Sequence, residues 1–369
     1  MRRLALILAT AGLAACGGGG GGDSSPPSSV ARKPGVLAIS AFPRFNPPPA
    51  TPQETVARLS ESFDLVYNAG ARGQFTSFRW SALEPTKGAY SAQQFDDLNA
   101  AINSAQSHGM VELVGLQVIN TTARELPAEL QALTFDDPAV TLQFHALLER
   151  VLTPANRGRI AYLSIGNEVD VYLRAHPAEW QRYKLFYEDA LQYAHALDPS
   201  VKVGVTGTID GVMQSPSELT DLNAQSDVMI LTYYPLQSIA GATAVRSPSV
   251  VAGDFALMLG LAGAKPLLLQ EVGYPAATAN LSSEAMQAQF VSNVFAAWKA
   301  ANGKIPFLNY FLLHDFTQQM CDDFGVYYGA PSDTSFKAFL CSLGLRKDDG
   351  TPRAAWSTLQ SEAAGAGLP

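Results

Sequence analysis

Glu168 and Glu271 each close a short apolar run. The first ends Tyr162-Leu163-Ser164-Ile165-Gly166-Asn167-Glu168, and the second ends Pro266-Leu267-Leu268-Leu269-Gln270-Glu271. Runs of this kind read as buried strands, and a carboxylate at the end of one is costly to bury unless something needs it there. Two of them on different strands can face one another across a cleft. At roughly 5–5.5 Å they suit double displacement at a glycosidic carbon, one as acid/base and the other as nucleophile.

Such residues need a frame. Strand-like runs alternate with amphipathic stretches along the chain. The strands are expected at Val36–Phe42, Phe75–Trp80, Val111–Ile119, Ile160–Ile165, Val201–Val205, Val228–Tyr233, Pro266–Gln270 and Ile305–Leu313. Helices are expected between them, at Pro52–Ala69, Ser91–His108, Pro138–Leu152, Pro177–Leu197, Ser215–Gln225, Ser249–Leu261 and Ser283–Ala301. Two more, Thr334–Leu343 and Arg353–Ala364, follow the last strand. Eight βα repeats with strands apolar on both faces predict an α/β fold, the (β/α)8 TIM barrel, over residues 35–369. A doubly wound sheet more often carries a Gly-rich phosphate turn after its first strand, and no G-x-G-x-x-G occurs there.

Function in such barrels sits at the C-terminal strand ends. Those ends carry Arg79, Trp80, Asn120, Asn167, Glu168, Tyr233, Tyr234, Glu271, Tyr310, His314 and Asp315. Each has an ordinary reading. Arg79 fits a strand-end salt bridge, Trp80 plain core, and the two tyrosines ordinary strand positions. Asp170 fits a cap on the helix after the fourth strand. Together, around two glutamates on the fourth and seventh strands, they predict a site.

Gly166-Asn167-Glu168 resembles the acid/base motif of the large clan of retaining glycoside hydrolases that place Asn-Glu after the fourth strand and Glu after the seventh. Gln270-Glu271-Val272-Gly273-Tyr274-Pro275 is similar to the nucleophile segment of endo-β-1,4-galactanases and β-1,3-glucanases. Arg79-Trp80-Ser81-Ala82-Leu83-Glu84-Pro85 resembles the second-strand segment of several clan families, and Gly350-Thr351-Pro352-Arg353 the lead into a closing helix. The resemblance implies Glu271 as nucleophile and Glu168 as acid/base. It implies a hydrogen bond to Glu271 from Tyr233 or Tyr234; alternation lets only one of the two face the barrel mouth easily. It further implies Asn167 on the sugar 2-hydroxyl and Arg79 as a positive charge beside Glu271. Trp80, Asn120 and His314 complete the expected substrate contacts. Many clan members carry a sugar-stacking tryptophan after the eighth strand. Here the segment reads Phe311-Leu312-Leu313-His314-Asp315-Phe316, so tyrosine and phenylalanine are expected as platforms.

Charged residues are 16 % and apolar ones 47 %, which suits a well-cored domain rather than a disordered one. A net charge of −8, with no basic stripe, argues against nucleic acid as a partner. Arg2 and Arg3, the apolar Leu4–Ala11 and the lipobox Leu13-Ala14-Ala15-Cys16 predict a leader over residues 1–16 with lipidation at Cys16. Gly17–Gly22 and the Ser/Pro-rich segment after it, through residue 34, read as a tether. The expected location is the bacterial cell envelope, held in a membrane by the lipid. Cys321 and Cys341 remain as an even pair, which in an exported protein suggests a disulfide. No metal-ligand spacing occurs, and the implied chemistry needs no metal and no cofactor. The partner expected is a β-linked carbohydrate, met by a monomer. Two rivals stand beside this reading. One is a non-catalytic carbohydrate-binding barrel. The other is a phosphate-handling barrel, which would want a Gly-rich phosphate cup and often a strand-end lysine.

Overall fold

A computed structural model describes residues 35–369; the expected leader, the lipidation at Cys16 and the tether lie outside the described residues. Eight parallel strands form a barrel: β1 Val36–Ile39, β2 Gly73–Arg79, β3 Val111–Asn120, β4 Tyr162–Asn167, β5 in two pieces (Lys202–Gly204 and Thr206–Thr208), β6 Met229–Tyr233, β7 Leu267–Val272 and β8 Phe307–Tyr310. The first piece of β5 pairs with β4 and the second with β6. β8 pairs with β1 in register from Val36↔Phe307 to Ile39↔Tyr310. The order therefore runs β5-β4-β3-β2-β1-β8-β7-β6-β5, a (β/α)8 barrel closed through its fifth strand.

The connecting helices are α1 Pro52–Asn68, α2 Ala92–Ser107, α3 Pro138–Val151, α4 Trp180–Leu197, α5 Pro216–Leu222, α6 Val251–Ala262, α7 Glu284–Ala300 and α8 Ala354–Gly365. Their starts are written locally. Thr51 accepts from the Glu54 amide at 3.1 Å, with Pro52 in the first turn, and Glu54 reaches back to the Ala50 amide at 2.7 Å. Thr51 is thus the N-cap, Glu54 holds the residue before it, and the proline is at its preferred position. Asp137 accepts from the Ala139 amide at the start of α3, and Ser283 from the Met286 amide at the start of α7.

Strand alternation divides the core. Outward residues such as Val114, Leu163 and Ile165 pack under α2, α3 and α4. Leu231, Leu269 and Val272 pack under α6 and α7. Inside the barrel the lower layer is apolar, with Ala38, Leu113, Ile230, Leu268 and Phe307. The layer above it is polar: Ser164, Thr206, Gln270 and Asn309 are buried and hydrogen-bonded to one another or to backbone. This satisfied layer is the floor of the barrel mouth.

The strand-end connections carry further pieces, of which the helix from Thr334 and the Cys321–Cys341 bridge were expected from sequence. A helix, Val169–Ala175, starts directly after Glu168. A hairpin, Leu236–Ile239 with Ala242–Val245, follows β6. After β8 the chain forms the helices Gln318–Tyr327 and Thr334–Leu340, joined by a Cys321–Cys341 disulfide with Cα atoms 5.9 Å apart. Phe42, Phe316, Phe339 and Leu340 pack this pair of helices onto the barrel as a separate apolar cluster.

Candidate active site

β4 delivers Glu168 by leaving regular geometry. Ser164 faces in and Ile165 out; Gly166 then takes φ +90°, and a Cβ there would collide with the Tyr183 hydroxyl. Glu168 itself has φ 49° and ψ 42°. A non-glycine residue in this left-handed region costs on the order of 1–3 kcal/mol and persists only where its surroundings hold it. Two hydroxyls do so: Thr121 donates to Oε2 at 2.8 Å and Thr232 to Oε1 at 2.7 Å. Thr121 is left-handed as well, φ 52°, and its amide donates to the Asn167 carbonyl at 2.9 Å.

β7 delivers Glu271 by a bulge. Its pairing with β6 is regular through Leu269↔Leu231 and then shifts, so that Glu271 faces Thr232. The extra residue breaks the alternation, and both Gln270 and Glu271 turn inward. Tyr234 donates to Glu271 Oε2 at 2.7 Å.

The electrostatics tie the two acids together. Burial pushes Glu271 up to about 7, the negative charge of Glu168 adds to the rise, and the Tyr234 hydroxyl and Gln270 amide oppose it. Burial also raises Glu168, against the Thr232 and Thr121 hydroxyls, with Asp210 pushing it further up. Both carboxyls thus sit above the usual range, and the pair titrates in two steps that belong to neither residue alone. One acid protonated and one ionised near neutral pH is the state that double displacement requires.

Around the acids runs a chain of amides and hydroxyls. Thr206 donates to Gln270 Oε1 at 2.8 Å, Gln270 to Asn167 Oδ1 at 2.8 Å, and Asn167 to Asn120 Oδ1 at 3.0 Å. Asn120 then donates to the Tyr327 hydroxyl at 2.9 Å, and Tyr327 to Glu125 Oε1 at 2.6 Å. Tyr327 and Tyr328 come from the disulfide-tied insert. Burial, with Glu168, Tyr327 and Glu271 adding to it, holds the Tyr328 phenol protonated against the Thr121 hydroxyl.

Glu168, Glu271, Asn167, Asn120 and Tyr234 are therefore brought together. Four expected contacts are not. Tyr233 points out of the barrel, because Thr232 and Tyr234 take the inward positions; it is fully buried and donates to Asp254 at 2.9 Å. Trp80 is fully buried behind β2, with its indole N–H on Glu84 at 2.8 Å, so it has no face for a sugar. His314 is buried, its ring nitrogens held by the Phe42 carbonyl at 2.8 Å and the Arg346 guanidinium at 3.2 Å. It belongs to the strut carrying the chain toward α8. Arg79 is half exposed and pairs at 3.8 Å with Glu125, not with Glu271. Asp315 likewise bonds the Gly344 amide and Arg353, and Asp170 takes two hydrogen bonds from Thr208, so neither reaches the carboxylate pair.

Sequence reasoning missed Thr121, Thr232, Glu125, Tyr327 and Tyr328. Thr232 was findable, since it stands two positions before Tyr234 on the same strand face. The tyrosines were not, because their placement depends on how the insert folds.

No family model matches the chain, and no curated protein does. Solved structures do. A GH5_18 protein of Streptomyces cattleya, in complex with Manβ1-4GlcNAc, superposes with a TM-score of 0.69 at 16 % identity, covering 89 % of this chain and 80 % of that one. A GH5_18 protein of Bifidobacterium longum gives 0.68 at 18 % identity, covering 90 % and 79 %. An exo-β-1,4-mannosidase from an Opitutaceae bacterium gives 0.68 at 15 % identity, covering 91 % of this chain and 60 % of the other. At such identities the likeness establishes the barrel fold.

Proposed function

We propose that this chain is a retaining β-glycosidase, with Glu168 as acid/base and Glu271 as nucleophile. The observation that carries the reading is the coupled carboxylate pair at the ends of β4 and β7, each acid holding its own hydroxyl donors. Glu271 attacks the anomeric carbon while Glu168 protonates the departing oxygen, giving a covalent glycosyl-enzyme. With the charge on Glu271 neutralised, Glu168 becomes more acidic and takes a proton from the water that releases the sugar. Asn167, beside the pair, is the donor for the sugar 2-hydroxyl. Tyr234, Tyr327 and Tyr328 supply the aromatic walls. A β-linked oligosaccharide or polysaccharide is the substrate class, and the fold neighbours named for Manβ1-4GlcNAc and β-1,4-mannoside put β-mannosides first among sugars to try. The N-terminal segment is proposed to lipidate at Cys16 and hold the barrel on the cell envelope as a monomer.

The test is a screen of purified protein on β-mannosides, glucans, galactans and xylans, followed by Glu168→Ala and Glu271→Ala. Each variant should lose turnover by orders of magnitude while keeping the wild-type circular dichroism. Azide should restore activity with retained configuration in the Glu168 variant and give the inverted glycosyl azide in the Glu271 variant. Near-wild-type activity in either variant would overturn the assignment.

A further inference from the structure

A carboxylate can only accept hydrogen bonds, so Glu125 fixes the direction of every group in the chain that ends on it. The Tyr327 hydroxyl donates its single proton to Glu125 at 2.6 Å and must therefore accept from its other neighbour, the Asn120 amide, at 2.9 Å. That orients Asn120 with its oxygen toward Asn167, which donates to it at 3.0 Å. Asn167 is left with its oxygen on the Gln270 amide at 2.8 Å and one free N–H. Each link polarises the next in the same direction.

Tyr327 closes the helix Gln318–Tyr327, inside the disulfide-tied insert, whereas Asn120 and Glu125 flank the turn after β3. Arg79 pairs with Glu125 at 3.8 Å and lies over the Tyr327 ring at 6.0 Å. Ser81 also donates to Glu125. An acid, an arginine, a serine and a tyrosine from three separate segments thus converge on the outer end of an amide chain whose inner end adjoins Glu168 and Glu271.

We propose that Tyr327 and Glu125 are positioning residues for glycoside cleavage, acting through Asn120 to aim the free N–H of Asn167 at the 2-hydroxyl of the bound sugar. This rests on the glycosidase reading above. Without the tyrosine hydroxyl, Asn120 loses its acceptor and is free to turn its amide over. Its nitrogen then faces that of Asn167, and the Asn167 donor is no longer aimed. Contacts to the 2-hydroxyl strengthen in the transition state, so the loss falls on kcat more than on KM.

The experiment compares wild type, Tyr327→Phe and Glu125→Gln, full-length, on 4-nitrophenyl β-D-mannopyranoside and β-D-glucopyranoside and on the 2-deoxy glycoside that both become when the 2-hydroxyl is removed. In Tyr327→Phe the preference in kcat/KM for the hydroxylated sugar over the 2-deoxy one should shrink about tenfold, the loss falling mainly on the hydroxylated sugar. Glu125→Gln, which keeps an acceptor but loses the fixed direction, should shrink it less. Melting temperatures check that both variants fold. A parallel fall on both sugars, or an unchanged preference in a folded, active Tyr327→Phe, overturns the positioning role and leaves the glycosidase reading intact. A wild type that cleaves no β-glycoside at all overturns that reading and this proposal with it.

Discussion

Tyr234 donates to Glu271 where the resemblance implied an arginine's help as well, and Arg79 is committed to Glu125 instead. The phenol favours the ionised form of Glu271, so its removal should raise the first ionisation of the pair. As the proposed nucleophile, Glu271 must be charged to attack, and the acid limb of kcat/KM reports that ionisation. Tyr234→Phe should therefore move the acid limb to higher pH and lower kcat; a limb that stays in place or moves down would remove Tyr234 from this role. The glutamates themselves were legible in sequence because a charge at the end of an apolar run is expensive and has to be explained. Which tyrosine faces in was legible only as an alternative, resolved by the alternation Thr232-in, Tyr233-out, Tyr234-in. Trp80 and His314 were misread for the opposite reason. Standing at a strand end says that a residue is near the mouth, but not that its side chain points there.

Among the elements, strands and helices were legible to within a few residues because their hydrophobic periods and caps are local. The bulge at Gln270 was not, since a bulge is a relation between two strands and leaves no mark on one. It is what allows Gln270 and Glu271, adjacent in sequence, to share one face. The insert after β8 was legible in its second helix, from Thr334, and in its cysteines, but its first helix, Gln318–Tyr327, was not. Reduction of Cys321–Cys341, which closes a loop with a sequence separation of 20, should lower stability by about 3 kcal/mol in the chain-entropy model. Because the insert carries Tyr327 and Tyr328, reduction should also cost activity below the melting transition. Calorimetry and turnover with and without a reductant check both, and equal values in the two conditions would make the bridge dispensable.

At the scale of the whole molecule, the eightfold alternation is a global signal, so the barrel was the most legible property of all. The N-terminal 34 residues are proposed to add an address to it. Cys16→Ser should shift the protein from the membrane fraction to the soluble one, or leave an uncleaved precursor, and mass spectrometry of the native protein should find a diacyl or triacyl Cys16. An unmodified Cys16 in the membrane-bound protein would remove the anchor. The barrel also carries a seam. Its fifth strand is ladder-paired with β4 only before Val205 and with β6 only after it, so no single ladder holds those two neighbours together. Glu168 stands on one lip of this seam, and Glu271, beyond β6, belongs to the other. What stitches the lips is the polar layer, in which Thr206 joins Ser164 at 2.6 Å to Gln270 at 2.8 Å. In the glycosidase proposed above, the gap between the two carboxylates, which decides the stereochemical outcome, is thus gauged by side chains bridging the thinnest line of the cylinder.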